Sequence, residues 1–331
     1  MPPSERSFII SRVPFRIPLG GGSTDMPSYY AEHGGFIFAV AIDLYMDIFI
    51  KEPIVDDNIH MHYMHYESET SVDDVKHTIG REALRMVGLK DKVLISFKAD
   101  TPAGTGLGSS GACSVALLKG LSLYTGRSLS NIEAAEQAFV LTQNLKLPDG
   151  KQDPYACSIG GFSVLEIAQD GTVDVSKPVI STDTVQRFLD SALLFYTGIR
   201  RDSKPILSAQ SSASVLEMKH RTKEIGRKVL ECFVNGDLDT FGNLLDEHWQ
   251  VKRGMAEGMT SDMLDAVYVA ARAGGALGGK ILGAGGGGYF LLYCPTVESR
   301  QSVREAMKQF NLREVHFGVD DQGARASIFK F

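Results

Sequence analysis

"TPAGTGLGSSGACSVALLKGL", residues 101–121, places a glycine- and serine-rich stretch directly before an apolar run of helical character. The preceding "KVLISFKAD" (92–100) reads as a strand and Gly126 as a helix cap, so the segment runs strand, loop, helix. Gly104, Gly106 and Gly108 let the backbone approach a ligand closely and aim N–H groups inward. The helix start adds free amides and a partial positive charge. Ser109 and Ser110 fall in the first turn, where a hydroxyl can cap the helix or ligate a magnesium ion bridging phosphates. Such a loop holds an anion without the lysine that a Walker-type phosphate loop requires. Glycine and serine are also ordinary turn and cap residues, so a structural helix entry is the alternative reading.

The rest of the chain limits what that anion can be. A chain of 331 residues, 44% of them hydrophobic, can bury a substantial core in one large or two ordinary domains. A net charge of −6 gives no electrostatic footprint for nucleic acid or an anionic membrane, which leaves small molecules as the expected partners. Cys113, Cys157, Cys232 and Cys294 are widely spaced and form no Cys-x-x-Cys pair, which fits reduced thiols in a cytoplasmic protein. The start "MPPSERSFII" lacks a basic region followed by a long apolar stretch and no uncharged apolar run reaches about 18 residues, so neither export nor a membrane span is expected. "FIFAVAIDLYMDIFI" (36–50) reads as strand, while "SNIEAAEQAFVLTQNL" (130–145) and "SSASVLEMKHRTKEIGRKVLECFV" (211–234) read as helices, giving a mixed α+β protein. The polar, turn-rich "AQDGTVDVSKPVIST" (168–182) marks a boundary near residue 175, dividing the chain into 1–175 and 176–331. The second part is expected to run strand, long helices, glycine-rich turn and strand, helix, and a last strand.

Two further glycine motifs fail as nucleotide signatures. "GGALGGKI" (274–281) has Walker spacing up to Lys280, but Ile281 stands where a magnesium-binding Ser or Thr belongs. "GAGGGGYFLLYC" (283–294) matches a dinucleotide pattern but opens a strand rather than a helix. It is either a plain tight connection or a place where backbone packs close to the first loop or its ligand. In "HMHYMHY" (60–66), His60 and His62 share a strand face but have no Cys or carboxylate ligand at a metal-like spacing, so a strand or hairpin is expected.

Four segments in order, "RVPFRIPLGGGSTDMPSYYAEHGG" (12–35), "GTGLGSSG" (104–111), "GKQDPYACSIGG" (150–161) and "LGAGGGGYFLLY" (282–293), resemble the signatures of the GHMP kinase superfamily. The resemblance implies a two-domain fold. Its N-terminal half is ribosomal protein S5 domain 2-like, its C-terminal half is ferredoxin-like, and the active site lies in the cleft between them. It also implies ATP and Mg2+. Within the superfamily, "RIPLGGGSTDMPSYYAEHGG", "GKQDPYA" and "FYTGIRR" are similar to heptose 7-phosphate kinases, with fucokinases as neighbours. The implied reaction is phosphorylation of the anomeric hydroxyl of D-glycero-D-manno-heptose 7-phosphate to the 1,7-bisphosphate, for nucleotide-activated heptose in surface polysaccharide synthesis. An anomeric kinase of an unphosphorylated sugar, or a non-catalytic nucleotide- or sugar-binding protein, are the alternatives. A homo-oligomer is compatible with all three.

Carried onto this chain, the resemblance makes Asp153 the general base and Arg16 the cation beside it. A turn aspartate and a surface ion pair are the respective structural alternatives. Pro102, Gly104, Thr105, Gly106, Leu107, Gly108, Ser109 and Ser110 would bind the nucleotide. Gly21, Gly22, Thr24, Asp25 and Gln152 would face the sugar, although Asp25 is also a good N-cap for the segment that follows it. Arg201, in "GIRRDSKP" (198–205), would meet a phosphate on the sugar, or else belong to a charged loop. Ser110 would ligate the metal. The helix glutamate usual in the superfamily is missing, since Leu141 and Thr142 occupy its expected place, and Glu136 is the substitute. Pro154 and Gly111 depart from the residues usual at their positions.

Overall fold

The computed structural model describes residues 7–200, 204–210 and 213–330. Long β-rich stretches near the N-terminus form two antiparallel strands, β1 (Ser7–Gly20) and β2 (Gly35–Lys51), joined through the short helix α1 (Pro27–His33). Residues 35–42 of β2 are buried on both faces. Ile37 and Ala39 pack towards Ala135, Tyr155 and Ala156, whereas Phe36, Phe38 and Val40 join the main core. A strand covered on both sides reads as a continuous apolar run, which "FIFAVAI" is.

The sheet grows outward through β3 (Ile59–His62), β4 (Tyr66–Glu69) and β5 (Val93–Ala99), with α2 (Thr78–Val87) between β4 and β5. "HMHYMHY" is indeed a hairpin, with His60 bonded to Asp56 and Tyr66. Next come α3 (Ser109–Tyr124), α4 (Asn131–Asn144), α5 (Gln152–Ile159), β6 (Phe162–Ile167) and β7 (Val173–Ser176). Apolar on nearly every side, α3 is buried along most of its length against the sheet. It ends at Tyr124 with Thr125 as its C-cap, and Gly126, expected as the cap, follows at φ +76°. α4 begins in a capping box formed by Ser130 and Glu133.

The second half contributes α6 (Thr182–Ser191), β8 (Ala192–Tyr196), α7 (Lys204–Gln210), α8 (Leu216–Asn235), α9 (Leu238–Arg253), α10 (Asp262–Ala273), β9 (Gly278–Ile281), β10 (Tyr289–Tyr293), α11 (Val297–Lys308), β11 (Arg313–Glu314) and β12 (Arg325–Lys330). Its sheet runs β11-β8-β10-β9, all antiparallel, which is the ferredoxin-like order. The larger sheet runs β12-β1-β2-β5-β3-β4, with β6 and β7 attached beside the first half of β2. The last strand, expected in the second half, instead returns to the first sheet, where Lys330 lies opposite Ser7. Alternation within a strand does not name its partner, so this crossing was not visible locally. The division near residue 175 falls inside β7, and one aromatic cluster of Phe38, Phe162, Phe188, Phe233 and Phe241 joins the two halves.

Candidate active site

The 101–108 loop leads from β5 into α3, with Gly104, Gly106 and Gly108 all at positive φ. Gly108 is the N-cap of α3, and no side chain caps the helix, so its first amides remain available. Arg16, on β1, is 1% exposed and threads beneath this loop. Its backbone N–H donates to Leu107 O at 3.1 Å and its Nη1 to Gly106 O at 2.7 Å. A β-carbon at Gly108 would lie 3.2 Å from Arg16 Cγ, so the glycine makes room for the guanidinium.

Asp153 occupies the first turn of α5, where a carboxylate is favoured. Its Oδ1 accepts from Arg16 Nε at 3.0 Å, Arg16 Nη2 at 2.5 Å and Gln152 Nε2 at 3.0 Å. Oδ2 has no protein partner among the described residues, and the side chain is 30% exposed to the cleft. Gly111 explains one departure noted in the sequence. A β-carbon there would come within 2.7 Å of Asp153 Cβ, so glycine lets α3 and α5 approach.

Asp25 does not cap α1, whose N-cap is Met26. Its Oδ2 accepts instead from the Gln152 N–H at 2.9 Å, tying the "GGGSTD" loop to the start of α5. Burial pushes the Asp25 carboxyl above its ordinary range, opposed by the Gln152 N–H and helped by the charge of Asp153.

These groups line a cleft of about 830 Å³. Pro102, Gly104, Gly106, Gly108, Ser109 and Ser110 reach it from the loop, and Arg16, Gly22, Asp25, Gln152 and Asp153 from beside it. Other expected site residues do not line it. Thr105 is buried beneath the loop with its hydroxyl on Pro102 O at 2.9 Å, and Leu107 lies in the core. Thr24 is buried and its hydroxyl accepts from the Phe36 N–H at 3.0 Å, while a β-carbon at Gly21 would strike Phe36 O. Both hold the loop's shape. Glu136 is corrected as a metal ligand: Lys151 Nζ bonds both of its oxygens at 2.7 Å and Tyr155 OH bonds one at 2.5 Å, and it does not line the cleft. Thr142 lines the cleft in its place. Arg201 lies outside the described residues.

On the opposite wall, sequence reasoning missed the roles of His248, Lys252 and Lys280 but not the glycine-rich turn. The 283–288 turn packs directly on the first loop, the second of the two readings left open for it. A β-carbon on Gly106 would lie 2.4 Å from Leu282 O, and one on Gly288 would lie 2.1 Å from Thr105 O. Lys252 donates to Gly283 O. Lys280, in the rejected Walker-like motif, is 1% exposed at the cleft floor, its Nζ donating to Leu19 O at 3.0 Å and lying 3.2 Å from His248 Nδ1. Burial, with neighbouring positive charge, drives both Lys280 and His248 well below their ordinary ranges. At the far end, Tyr63, Ile79, His77 and Phe97 form an apolar, aromatic lining, with the His77 and Phe97 rings 4.5 Å apart.

Residues 73–161 match the GHMP kinases N terminal domain and residues 229–312 match the GHMP kinases C terminal domain. The chain belongs to the GHMP kinase family. As a GHMP kinase it is an ATP-dependent phosphotransferase. It is 27% identical over 318 residues to D-glycero-alpha-D-manno-heptose 7-phosphate kinase of Campylobacter jejuni, covering 91% of this chain and 94% of that one. It is 26% identical to the L-fucokinase/L-fucose-1-P guanylyltransferase of Bacteroides fragilis, covering 97% of this chain but 38% of that longer protein. Its fold matches a D-glycero-D-manno-heptose 1-phosphate kinase from Bacteroides thetaiotaomicron with a TM-score of 0.79 at 24% identity, over 96% of this chain and 98% of that one. No helix among the described residues of this GHMP kinase is long and apolar enough to cross a membrane.

Proposed function

We propose that this kinase transfers the γ-phosphoryl group of ATP to the anomeric hydroxyl of D-glycero-D-manno-heptose 7-phosphate, giving the 1,7-bisphosphate. The observation that carries the transfer chemistry is the state of Asp153. Three donors saturate Oδ1 and fix the carboxylate, while Oδ2 is left for a ligand beside the phosphate loop. In this reading Oδ2 takes the proton of the sugar hydroxyl, the oxygen attacks the γ-phosphorus, and the bond to the β,γ-bridging oxygen breaks to release ADP. Arg16 holds Asp153 in that orientation. The near full-length match to the Campylobacter heptose 7-phosphate kinase supports the choice of sugar.

ATP would place its phosphates on the 104–110 loop and its base against Tyr63, His77 and Phe97. The donor set fits a magnesium ion, which keeps several waters and needs few protein ligands. Ser110 faces the cleft and its hydroxyl has no protein partner among the described residues, so Ser110 would hold the ion together with the phosphates. When bound, the ion supplies neutralisation of phosphate charge. Asp25 and Gln152 would fix the sugar, and Arg201 its 7-phosphate.

The test is ATP consumption by wild type and Arg201→Ala against heptose 7-phosphate, free heptose and fucose. We expect wild type to prefer heptose 7-phosphate. Arg201→Ala should raise KM for that sugar about ten- to a hundredfold while leaving free heptose little changed. A wild-type preference for fucose or free heptose overturns the assignment in favour of an anomeric kinase of an unphosphorylated sugar.

A further inference from the structure

Lys280 has a setting that the transfer scheme above does not use. It stands at the cleft floor on β9, almost wholly buried, where the phosphate loop, the Arg16–Asp153 pair and the end of β1 converge. A lysine ammonium carries three N–H groups and needs a counter-charge when taken out of water. Here the partners are one carbonyl, Leu19 O, and one ring nitrogen, His248 Nδ1. The charged groups that act on it are Lys252 on α9 and Arg16 on β1, both positive, and no carboxylate among the described residues pairs with it. A buried amine held this way is costly unless an anion enters the cleft.

We propose that Lys280 is a catalytic residue that contacts the transferred phosphoryl group, with His248 and the Leu19 carbonyl as its positioning partners. Its place beside Arg16 selects the transferred group over a phosphate on the sugar. Most of a pyranose ring and two exocyclic carbons separate an anomeric oxygen from a 7-phosphate, so that phosphate would lie away from the Arg16–Asp153 pair. Burial and the two nearby cations hold the amine well below the usual lysine range in the empty cleft. A phosphate anion at the same place reverses that balance, so nucleotide binding recharges Lys280 with a proton from solvent. The assignment rests on phosphoryl transfer from ATP but not on the identity of the sugar.

The experiment is calorimetric titration of the protein with a magnesium complex of a non-hydrolysable ATP analogue, in buffers of different ionisation enthalpy, from about pH 7 to about pH 9.5. Wild type should take up a proton on binding, at pH values below the ordinary lysine value. Lys280→Met should lose the uptake, its kcat should fall about a hundredfold, and its affinity for the analogue should fall as well, because the proton taken up is linked to binding. Lys280→Arg, permanently charged, should also lose the uptake while recovering part of kcat. If Lys280→Met does not fold, the arginine variant decides. No proton uptake by wild type, equal uptake in wild type and either variant, or a Lys280→Met kcat within about threefold of wild type overturns the proposal. Asp153→Asn separates the two readings. It should keep the uptake while losing turnover, so normal turnover there defeats the general-base scheme and leaves the calorimetric result on Lys280 standing.

Discussion

The two walls of the cleft handle charge in opposite ways. On the wall built from β1, the phosphate loop and α5, Arg16 is paired with Asp153 and also donates to Gly106 O, and the buried Asp25 carboxyl accepts from the Gln152 N–H. On the wall built from α9 and β9, Lys280 and His248 share a carbonyl and each other, with no carboxylate among the described residues paired to either. The first arrangement fixes the Asp153 carboxylate in one orientation before any ligand arrives. The second is incomplete until an anion supplies what it lacks. A general base must be ready in advance, whereas a cation serving a phosphoryl group gains from meeting its counter-charge only when the substrate is present.

Breaking the paired wall should give the largest effect. Asp153→Asn keeps the side chain's shape but removes the proton acceptor, so kcat should fall about a hundredfold or more while nucleotide affinity stays close to wild type. Single-turnover kinetics and a binding titration on the same preparation check both halves. A kcat near wild type would reduce Asp153 to a residue that shapes the pocket.

The two walls also differed in how far the sequence revealed them. The paired wall is local. "GTGLGSSG" was legible as a loop opening a helix, while "GKQDPY" and "RIPLGGGSTD" were legible through the family resemblance, and each motif sends several of its residues to the cleft. Thr24, Thr105 and Leu107 turn their side chains inward and Gly21 packs against Phe36 O, because being inside a motif does not say which way a side chain points. The second wall is non-local. Lys280 and His248 are 32 residues apart and meet only because α9 packs on β9. Lys280 had been read only as part of a failed Walker motif, and the one usable signal was a lysine inside an otherwise apolar and glycine-rich strand. The return of β12 to β1 was hidden for the same reason.

A smaller effect sharpens where the metal stands. Ser110 faces the cleft, whereas Glu136 spends its carboxylate on Lys151 and Tyr155. Ser110→Ala should raise the magnesium concentration for half-maximal activity by about tenfold, and Glu136→Gln should change it by less than about twofold. Magnesium titrations of activity at saturating ATP measure both. A large shift in the glutamine variant would return Glu136 to the site. An unchanged requirement in the alanine variant would remove Ser110 from it.

The smallest expected effect tests the unpaired wall without any substrate. In the folded protein, burial, Lys252 and Arg16 hold the Lys280 amine well below its ordinary value of 10.5. Between the two values the unfolded chain carries a proton that the native protein lacks, so lowering the pH through that window costs the wild type stability. Lys280→Met keeps most of the side-chain volume and carries no proton in either state. The variant should therefore melt higher than wild type at neutral pH, by about 1–3 °C, because a buried group with no counter-charge has been replaced by one that needs none. The gap should narrow as the pH rises towards the ordinary lysine value and level off once it falls below the native one. Melts above about pH 7 keep His248, whose own value is also held down by Lys280, from titrating in the same window. A variant that melts lower at every pH, or by an amount independent of pH, would mean that Lys280 is bound as a settled part of the fold. The contrast between a paired wall and a wall that waits for its anion would then fail at its central residue.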